Sequence, residues 1–369
     1  MRARTPRIGI LTGGGDCPGL NGVIRAVTKT AQNEFGATVL GIEDGFEGLV
    51  EGRAHELSHA EVSGILGRGG TILGTSNKGD PWHYPIPGPD GRIERTDQSA
   101  RALERIAQWG LDALVAVGGD GTMHIASRLA QAGVRVVGVP KTIDNDVPGT
   151  DVTFGFDTAV SIVCESIDRL ATTASAHHRI MVVETMGRYA GWIALMGGVA
   201  GGADAVLIPE IPFGWPAVVR KVSERVEHGK RFSIVCVAEG VRVPGSGEVI
   251  AENDPRRTDP KRLGGIGAVV ADAISRLSGH ETRVTVLGHL QRGGPPSAAD
   301  RVLATGLGTE AARCACSGRT DVMVAVRDCG IRPIPLAEAT GALRTVPLDH
   351  HLISAARAVG TCFGDESCE

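Results

Sequence analysis

Three short segments carry residues whose types and spacing suit phosphoryl chemistry. Thr12–Asn21 reads TGGGDCPGLN, and its glycines permit a tight backbone fold whose N–H groups converge on an anion at a helix start. It lacks the Lys-Ser/Thr pair of a Walker A loop and the GxGxxG spacing of a dinucleotide fold, so it reads as a phosphate cradle of another kind, or as a tight acidic turn. Gly118–Thr122 reads GGDGT: an aspartate between glycines at the end of an apolar run suits Mg²⁺ on a phosphate chain, with adjacent N–H groups free for oxygens. Pro140–Asp146 reads PKTIDND, placing two carboxylates two positions apart beside Thr142 and Asn145. One carboxylate can act as general base and the other as metal or orientation partner; alone, the segment would read as an Asx-rich turn.

These segments need elements to hold them. Arg7–Thr12, Ala37–Ile42, Ala113–Val117 and Val134–Val139 read as short buried strands, with helices at Asn21–Phe35 and near Met123–Gln131. Strands are expected again at Arg179–Glu184, Ala205–Ile208, Ser233–Ala238, Val284–Leu287 and Val322–Val326, with helices near Phe156–Ala174 and Trp215–His228. Alternation of this kind predicts an α/β chain of two doubly wound lobes, ligands lying in the cleft at the carboxyl ends of the strands. Gly79–Gly91 and Arg242–Pro260 read as exposed loops, Gly364–Glu369 as a frayed tail, and the Gly197–Gly202 run as helix–strand packing with a tight turn.

Composition narrows the function classes. Glycine supplies 52 of 369 residues, about 14% against an average of about 7%, which suits many ligand-approaching loops. A net charge of −4 and 4% aromatic residues argue against a nucleic-acid surface, and no apolar run reaches membrane-spanning length. The eight cysteines show no framework spacing and no CxxC pair, so they are expected to be thiols in a cytoplasmic protein rather than disulfides or zinc ligands.

In this order and at these spacings, TGGGDCPGLN, GGDGT and PKTIDND resemble the phosphofructokinase family. The resemblance continues through Arg68–Ser76 (RGGTILGTS), His178–Arg188 (HRIMVVETMGR), Val237–Gly240 (VAEG), Arg283–Gly294 (RVTVLGHLQRGG) and Asp300-Arg301. It implies a donor lobe of residues 1–155 with 292–341, and a sugar-phosphate lobe of 156–291 with 342–369. It further implies transfer of the γ-phosphoryl group of ATP to the 1-hydroxyl of fructose 6-phosphate. Asp144 would be the base, flanked by Thr142 and Asp146, with Asp120 holding Mg²⁺ and Arg188 offsetting developing charge. Gly15, Asn77, Lys78, Gly119, Gly121, Thr122 and Lys141 would contact the donor. Ile143, Met186, Gly187 and Glu239 would line the sugar, and His289 and Arg292 would hold its 6-phosphate. Arg179 and Arg283 would reach in from a neighbouring subunit, which implies a homo-oligomer, a dimer at least and a tetramer by family habit.

The chain departs from the family pattern in places. Pyrophosphate-dependent members usually carry Asp where this chain has Gly121, so Gly121 favours ATP. Lys141 pulls towards diphosphate, the alternative donor, because pyrophosphate users commonly carry Lys there. Bacterial ATP users usually place Arg at the position of Asn77, where Lys78 follows here and offers the substitute charge. Ala171 stands where the family's IDRLR ends in an effector-site arginine, although Arg25 is retained, so bacterial-type allosteric control is not expected. Dinucleotide kinases share GGDGT but leave PKTIDND and HLQRGG unexplained, and a non-catalytic sugar-phosphate sensor would be expected to lose Asp120 or Asp144.

Overall fold

The computed structural model describes residues 5–88, 92–254, 256–257 and 259–365. In chain order the main strands are β1 (Arg7–Thr12), β2 (Thr38–Ile42), β3 (Ala54–Glu56), β4 (Ala113–Gly118), β5 (Val136–Pro140), β6 (Ile180–Thr185), β7 (Ala205–Leu207), β8 (Ser233–Ala238), β9 (Thr282–Val286), β10 (Val322–Arg327) and β11 (Gly330–Pro335). They form a seven-stranded sheet in the order β11-β10-β5-β4-β1-β2-β3 and a four-stranded sheet in the order β9-β6-β8-β7. The four-stranded sheet is parallel throughout; in the larger sheet only β3 and β11 run antiparallel to their neighbours.

β4, β5, β6 and β8 are buried at every residue. Their apolar runs do not alternate because helices cover both faces of a parallel sheet. In the larger sheet β1 lies between β2 and β4, so the chain leaves β1 in one direction and returns on its other side. Such a switch opens a crevice at the strands' carboxyl ends, and both glycine segments begin there. β6 lies between β9 and β8 in the second sheet and delivers residues 186–188 in the same way.

The helix Asp120–Gln131 starts directly after β4. Gly119 is its N-cap, and Asp120 occupies the first turn, where a carboxylate opposes the helix dipole favourably. Gly118 has no room for a side chain: a Cβ there would lie 2.3 Å from Thr122 Cβ and 2.1 Å from Thr122 Oγ1. Only glycine lets the strand pass beneath the helix start. Gly121 is the opposite case, with nothing within 4 Å of a Cβ built on it.

Several expectations change. Gly79–Gly91 includes a strand, Tyr84–Pro87, paired antiparallel with Ile93–Thr96; residues 89–91 lie outside the described set. Arg242–Pro260 contains Arg242–Val243 paired with Gly247–Glu248, and Ile250–Asn253 paired with Lys261–Leu263. Both were hard to read because short hairpins without a buried face leave no apolar alternation. Gly197 and Gly198 lie in the helix Trp192–Ala200, where a Cβ would come within 2.6 Å of Val163 and 2.7 Å of Val206 respectively, so the run serves close packing. Cys362 is disulfide-bonded rather than a thiol. Arg357 pairs with Asp365 at 2.6 Å, tying down the start of the expected tail; residues 366–369, Cys368 among them, lie outside the described set.

Overpacking at Gly118 gives a direct test of this geometry. Gly118→Ala should lower unfolding free energy by about 1–3 kcal/mol in urea titrations, because Thr122 Cβ cannot rotate away. Unchanged stability would mean that the helix start is not seated on β4 as described.

Candidate active site

The carboxyl ends of the two sheets line one cleft of about 670 Å³. On the side of the larger sheet, the loop after β1 is fixed at each residue. Gly13 N–H donates to the Val117 carbonyl at 2.9 Å, and Gly14 N–H to the Ser76 carbonyl at 3.0 Å, with Gly14 at φ 78°. The Lys141 ammonium donates to the Gly15 carbonyl, and Arg292 Nη1 donates to the Asp16 carbonyl at 3.0 Å. Two cations therefore frame the glycine loop. Burial pulls the Lys141 pKa below its ordinary value. Gly119, Asp120, Gly121 and Thr122 present the helix start to the same space, beside Gly15 and Asn77. Lys78 does not line the cleft; its N–H donates to Ser76 Oγ at 3.1 Å.

The loop after β5 brings Thr142, Asp144 and Asp146 to the cleft. Asp144 N–H donates to Thr142 Oγ1 at 3.0 Å, and Thr153 Oγ1 donates to the Thr142 carbonyl at 2.7 Å. Asn145 takes a left-handed backbone, φ 54°, and its Oδ1 accepts from Thr153 N–H at 3.0 Å. This turn aims Asp144 and Asp146 inwards while Ile143, fully buried, anchors the loop in the core and does not line the cleft. Asp144 Oδ1 is buried without a hydrogen-bond partner among the described residues. Burial, then the charges of Asp144 and Asp120, push the Asp146 pKa upwards.

The second sheet supplies Met186, Arg188, Glu239, His289 and Arg292. Arg188 sits at φ 52°; its N–H donates to Glu239 Oε1 at 3.1 Å. Its guanidinium pairs with Asp259, whose Oδ2 also accepts from Tyr189 OH at 2.9 Å. Burial raises the Glu239 pKa to about 7, with the Asp144 charge adding to the effect. Gly187 lies just outside the lining at φ 133°, where a Cβ would meet the Ala190 carbonyl oxygen at 2.6 Å.

Arg179 and Arg283 stand apart from the cleft. Both pair with Glu281, Arg179 at 2.9 Å, beside the outer strand β9. Sequence reading missed Asp259, Tyr189, Arg257 and Arg262, all of which line the cleft. Tyr189 directly follows the MGR segment and was within reach of that motif. Arg257 and Asp259 sit in the stretch read as an exposed loop and Arg262 just beyond it, and a charged run carries no signal of which way it folds.

The residues fit a divalent cation on one physical ground: a buried carboxylate oxygen without a partner among the described residues lies near the further carboxylates Asp146 and Asp120. Among the described residues, no group of three or more His, Cys, Asp and Glu side chains could hold a metal unaided. Mg²⁺ characteristically takes one or two carboxylates and shares the rest of its shell with phosphate oxygens and water.

An anion cradle beside a buried carboxylate, both at the carboxyl ends of one sheet and facing a cleft, is the arrangement of a phosphotransferase. A family model described as Phosphofructokinase matches residues 7–315, and the chain belongs to the phosphofructokinase family. The ATP-dependent 6-phosphofructokinases of Chloroflexus aggregans and Spirochaeta thermophila are each 50% identical; the first alignment covers 99% of this chain and 100% of that protein, the second 99% of both. The solved Pichia pastoris phosphofructokinase superposes with TM-score 0.76 at 32% identity, over 97% of this chain and 37% of that one. A pyrophosphate-dependent phosphofructokinase from Marinobacter aquaeolei gives TM-score 0.77 over 93% of this chain and 86% of its own, and at 22% identity this is a likeness of fold.

The Glu239 environment predicts a pH signature. Its folded pKa of about 7 exceeds the ordinary 4.5, so between those values the unfolded chain gives up its proton first and stability falls as pH rises. Glu239→Gln removes that loss. The melting-temperature difference, variant minus wild type, should therefore grow from pH 5 to pH 7.5 and then level off. A constant difference across that range would refute the assignment.

Proposed function

We propose that this chain is an ATP-dependent 6-phosphofructokinase of cytoplasmic glycolysis, converting fructose 6-phosphate and ATP into fructose 1,6-bisphosphate and ADP. The single observation that carries the donor choice is near-complete alignment at 50% identity with proteins named for that activity. The open space at Gly121 supports it, because a nucleotide's α-phosphate needs the volume that a side chain there would fill. Lys141, which had pulled towards diphosphate, has a role independent of the donor: it holds the glycine loop through the Gly15 carbonyl.

In this reading the sugar 1-oxygen attacks the γ-phosphorus, the bond to the β,γ-bridging oxygen breaks, and ADP leaves with the electron pair. The 1-hydroxyl proton passes to Asp144, whose buried Oδ1 has no competing hydrogen bond among the described residues. Thr142 and Asp146 flank the base and set its direction and charge. Gly15, Asn77, Gly119, Gly121 and Thr122 bind donor oxygens, with Lys78 in support. Mg²⁺, carried by Asp120 and the donor phosphates, supplies charge neutralisation on the phosphate chain when bound. Arg188 offsets charge on the transferring group, Met186, Gly187 and Glu239 position the sugar, and His289 and Arg292 bind its 6-phosphate.

Arg179 and Arg283 fit a neighbour's site rather than their own. They lie outside the cleft, Arg283 on β9 and Arg179 just before the neighbouring β6, and β9 exposes Val284 (40%), with Leu290 (68%) close behind it in the chain. Such a cluster suits burial against a second copy of the chain, and the proposed enzyme is a homo-oligomer. The donor lobe of residues 1–155 with 292–341 and the sugar lobe of 156–291 with 342–369 remain the proposed division of labour.

Steady-state assays with fructose 6-phosphate and either ATP or pyrophosphate test the donor: turnover with ATP and little with pyrophosphate is expected, and the reverse would overturn the choice. Asp144→Asn should lower kcat by about 10²–10⁴-fold with sugar binding retained. Near-normal turnover in that variant would remove Asp144 from its role.

A further inference from the structure

Arg344 lies beyond the family-matched span of residues 7–315, and no step of the proposed reaction uses it. It is half-buried, and burial pulls its pKa down, so its hydrogen bonds must compensate for lost hydration. They go to one place. Arg344 Nη1 donates to the Asn145 carbonyl at 2.9 Å, and Arg344 N–H donates to the Asp146 carbonyl at 2.8 Å. Those two carbonyls follow Asp144 directly and include the one at the left-handed residue, Asn145. The turn that aims both carboxylates into the cleft is thus held from behind by one arginine.

The other side of the same segment grips the second sheet. Trp192 Nε1 donates to the Arg344 carbonyl at 2.9 Å, and the guanidinium carbon lies 4.2 Å from the centre of the Trp192 ring. Two residues on, Val346 N–H donates to Glu210 Oε1 at 2.9 Å, and Gly191 N–H donates to the same oxygen at 2.9 Å. Gly191 and Trp192 close the loop that carries Arg188, and within that loop Ala190 N–H bonds the Gly187 carbonyl at 3.0 Å. Residues 344–346 therefore join the loop after β5 to the loop after β6, which bear Asp144 and Arg188 respectively.

We propose that Arg344 is a positioning residue, and that the Arg344–Val346 strap fixes the base Asp144 relative to the charge-offsetting Arg188 across the cleft. The inference rests on the phosphotransfer reading of that cleft. An arginine suits the place because one planar group both stacks on the indole and donates edge-on to a carbonyl, whereas a lysine ammonium has no flat face with which to do both at once. Loss of the strap should affect the transition state more than ground-state binding, since the sugar and donor contacts themselves stay in place.

The test combines kinetics with hydrogen exchange on the full-length enzyme. Arg344→Met should lower kcat by about ten- to a hundredfold, as expected when reacting groups shift by around an ångström, while KM for fructose 6-phosphate and ATP each change less than about threefold. Arg344→Lys should fall between the two. Amide exchange in Arg344→Met should quicken in the peptides spanning 140–147 and 187–192, with the rest of both sheets unchanged. Glu210→Ala cuts the strap at its other end, so the double variant should have kcat within about threefold of the worse single one. A kcat within twofold of wild type, multiplicative effects in the double variant, or unchanged exchange in both peptides would each overturn the proposal. Should Arg344→Met fail to fold, the Lys variant supplies the same kinetic and exchange readings. Hydrogen exchange needs no turnover, so failure of the strap is distinguishable from failure of the proposed activity, which wild-type assays read alone.

Discussion

Asp120, Asp144 and Asp146 all face one cleft, and their mutual repulsion constrains everything around them. Burial and the charges of Asp144 and Asp120 push the Asp146 pKa upwards, and like charges gathered in a partly desolvated site favour a bound cation. A fold without a purpose for such a site would relax it. Here the backbone holds it in place: Asp120 at a helix start, and Asp144 and Asp146 on either side of a left-handed asparagine. The arrangement suits positive charge and phosphate oxygens arriving together, as they do in phosphoryl transfer.

The cations near the cleft follow from the same constraint. Lys141 and Arg292 spend hydrogen bonds on the carbonyls of Gly15 and Asp16, so they stiffen the glycine loop as well as lending it charge. Arg188 is paired with Asp259 and does not collapse onto Asp144. Lys141, Arg292 and Arg188 thus each have a fixed hydrogen-bond partner, which is the preorganisation that electrostatic stabilisation of a transition state requires.

Much of this was legible in the sequence, for local reasons. Strands such as β4 and β8 are short apolar runs closed by glycine, and the chemistry sits at their carboxyl ends, so position along the chain gave position in the site. Asp120 and Asp144 could be named because each lies within a few residues of a strand end, and Glu239 and Arg292 because their segments resemble the phosphofructokinase family. Asp259 and Arg344 could not. Asp259 reaches the cleft through a hairpin whose residues show no periodicity, and Arg344 acts through backbone carbonyls some 200 positions earlier, a kind of contact that leaves no trace in residue type. The donor was the hardest part to read: it turned on an absence, the missing side chain at Gly121, and only the open volume there gives that absence a structural meaning.

The claim on which the rest depends is that the carboxylates share a divalent cation with the donor's phosphates. Electron paramagnetic resonance with Mn²⁺ in place of Mg²⁺ tests it without turnover, using a non-hydrolysable ATP analogue. The account predicts a bound Mn²⁺ signal at one ion per chain that requires the analogue and is lost in Asp120→Asn. Tight binding of the analogue that is indifferent to both metal and Asp120 would contradict it.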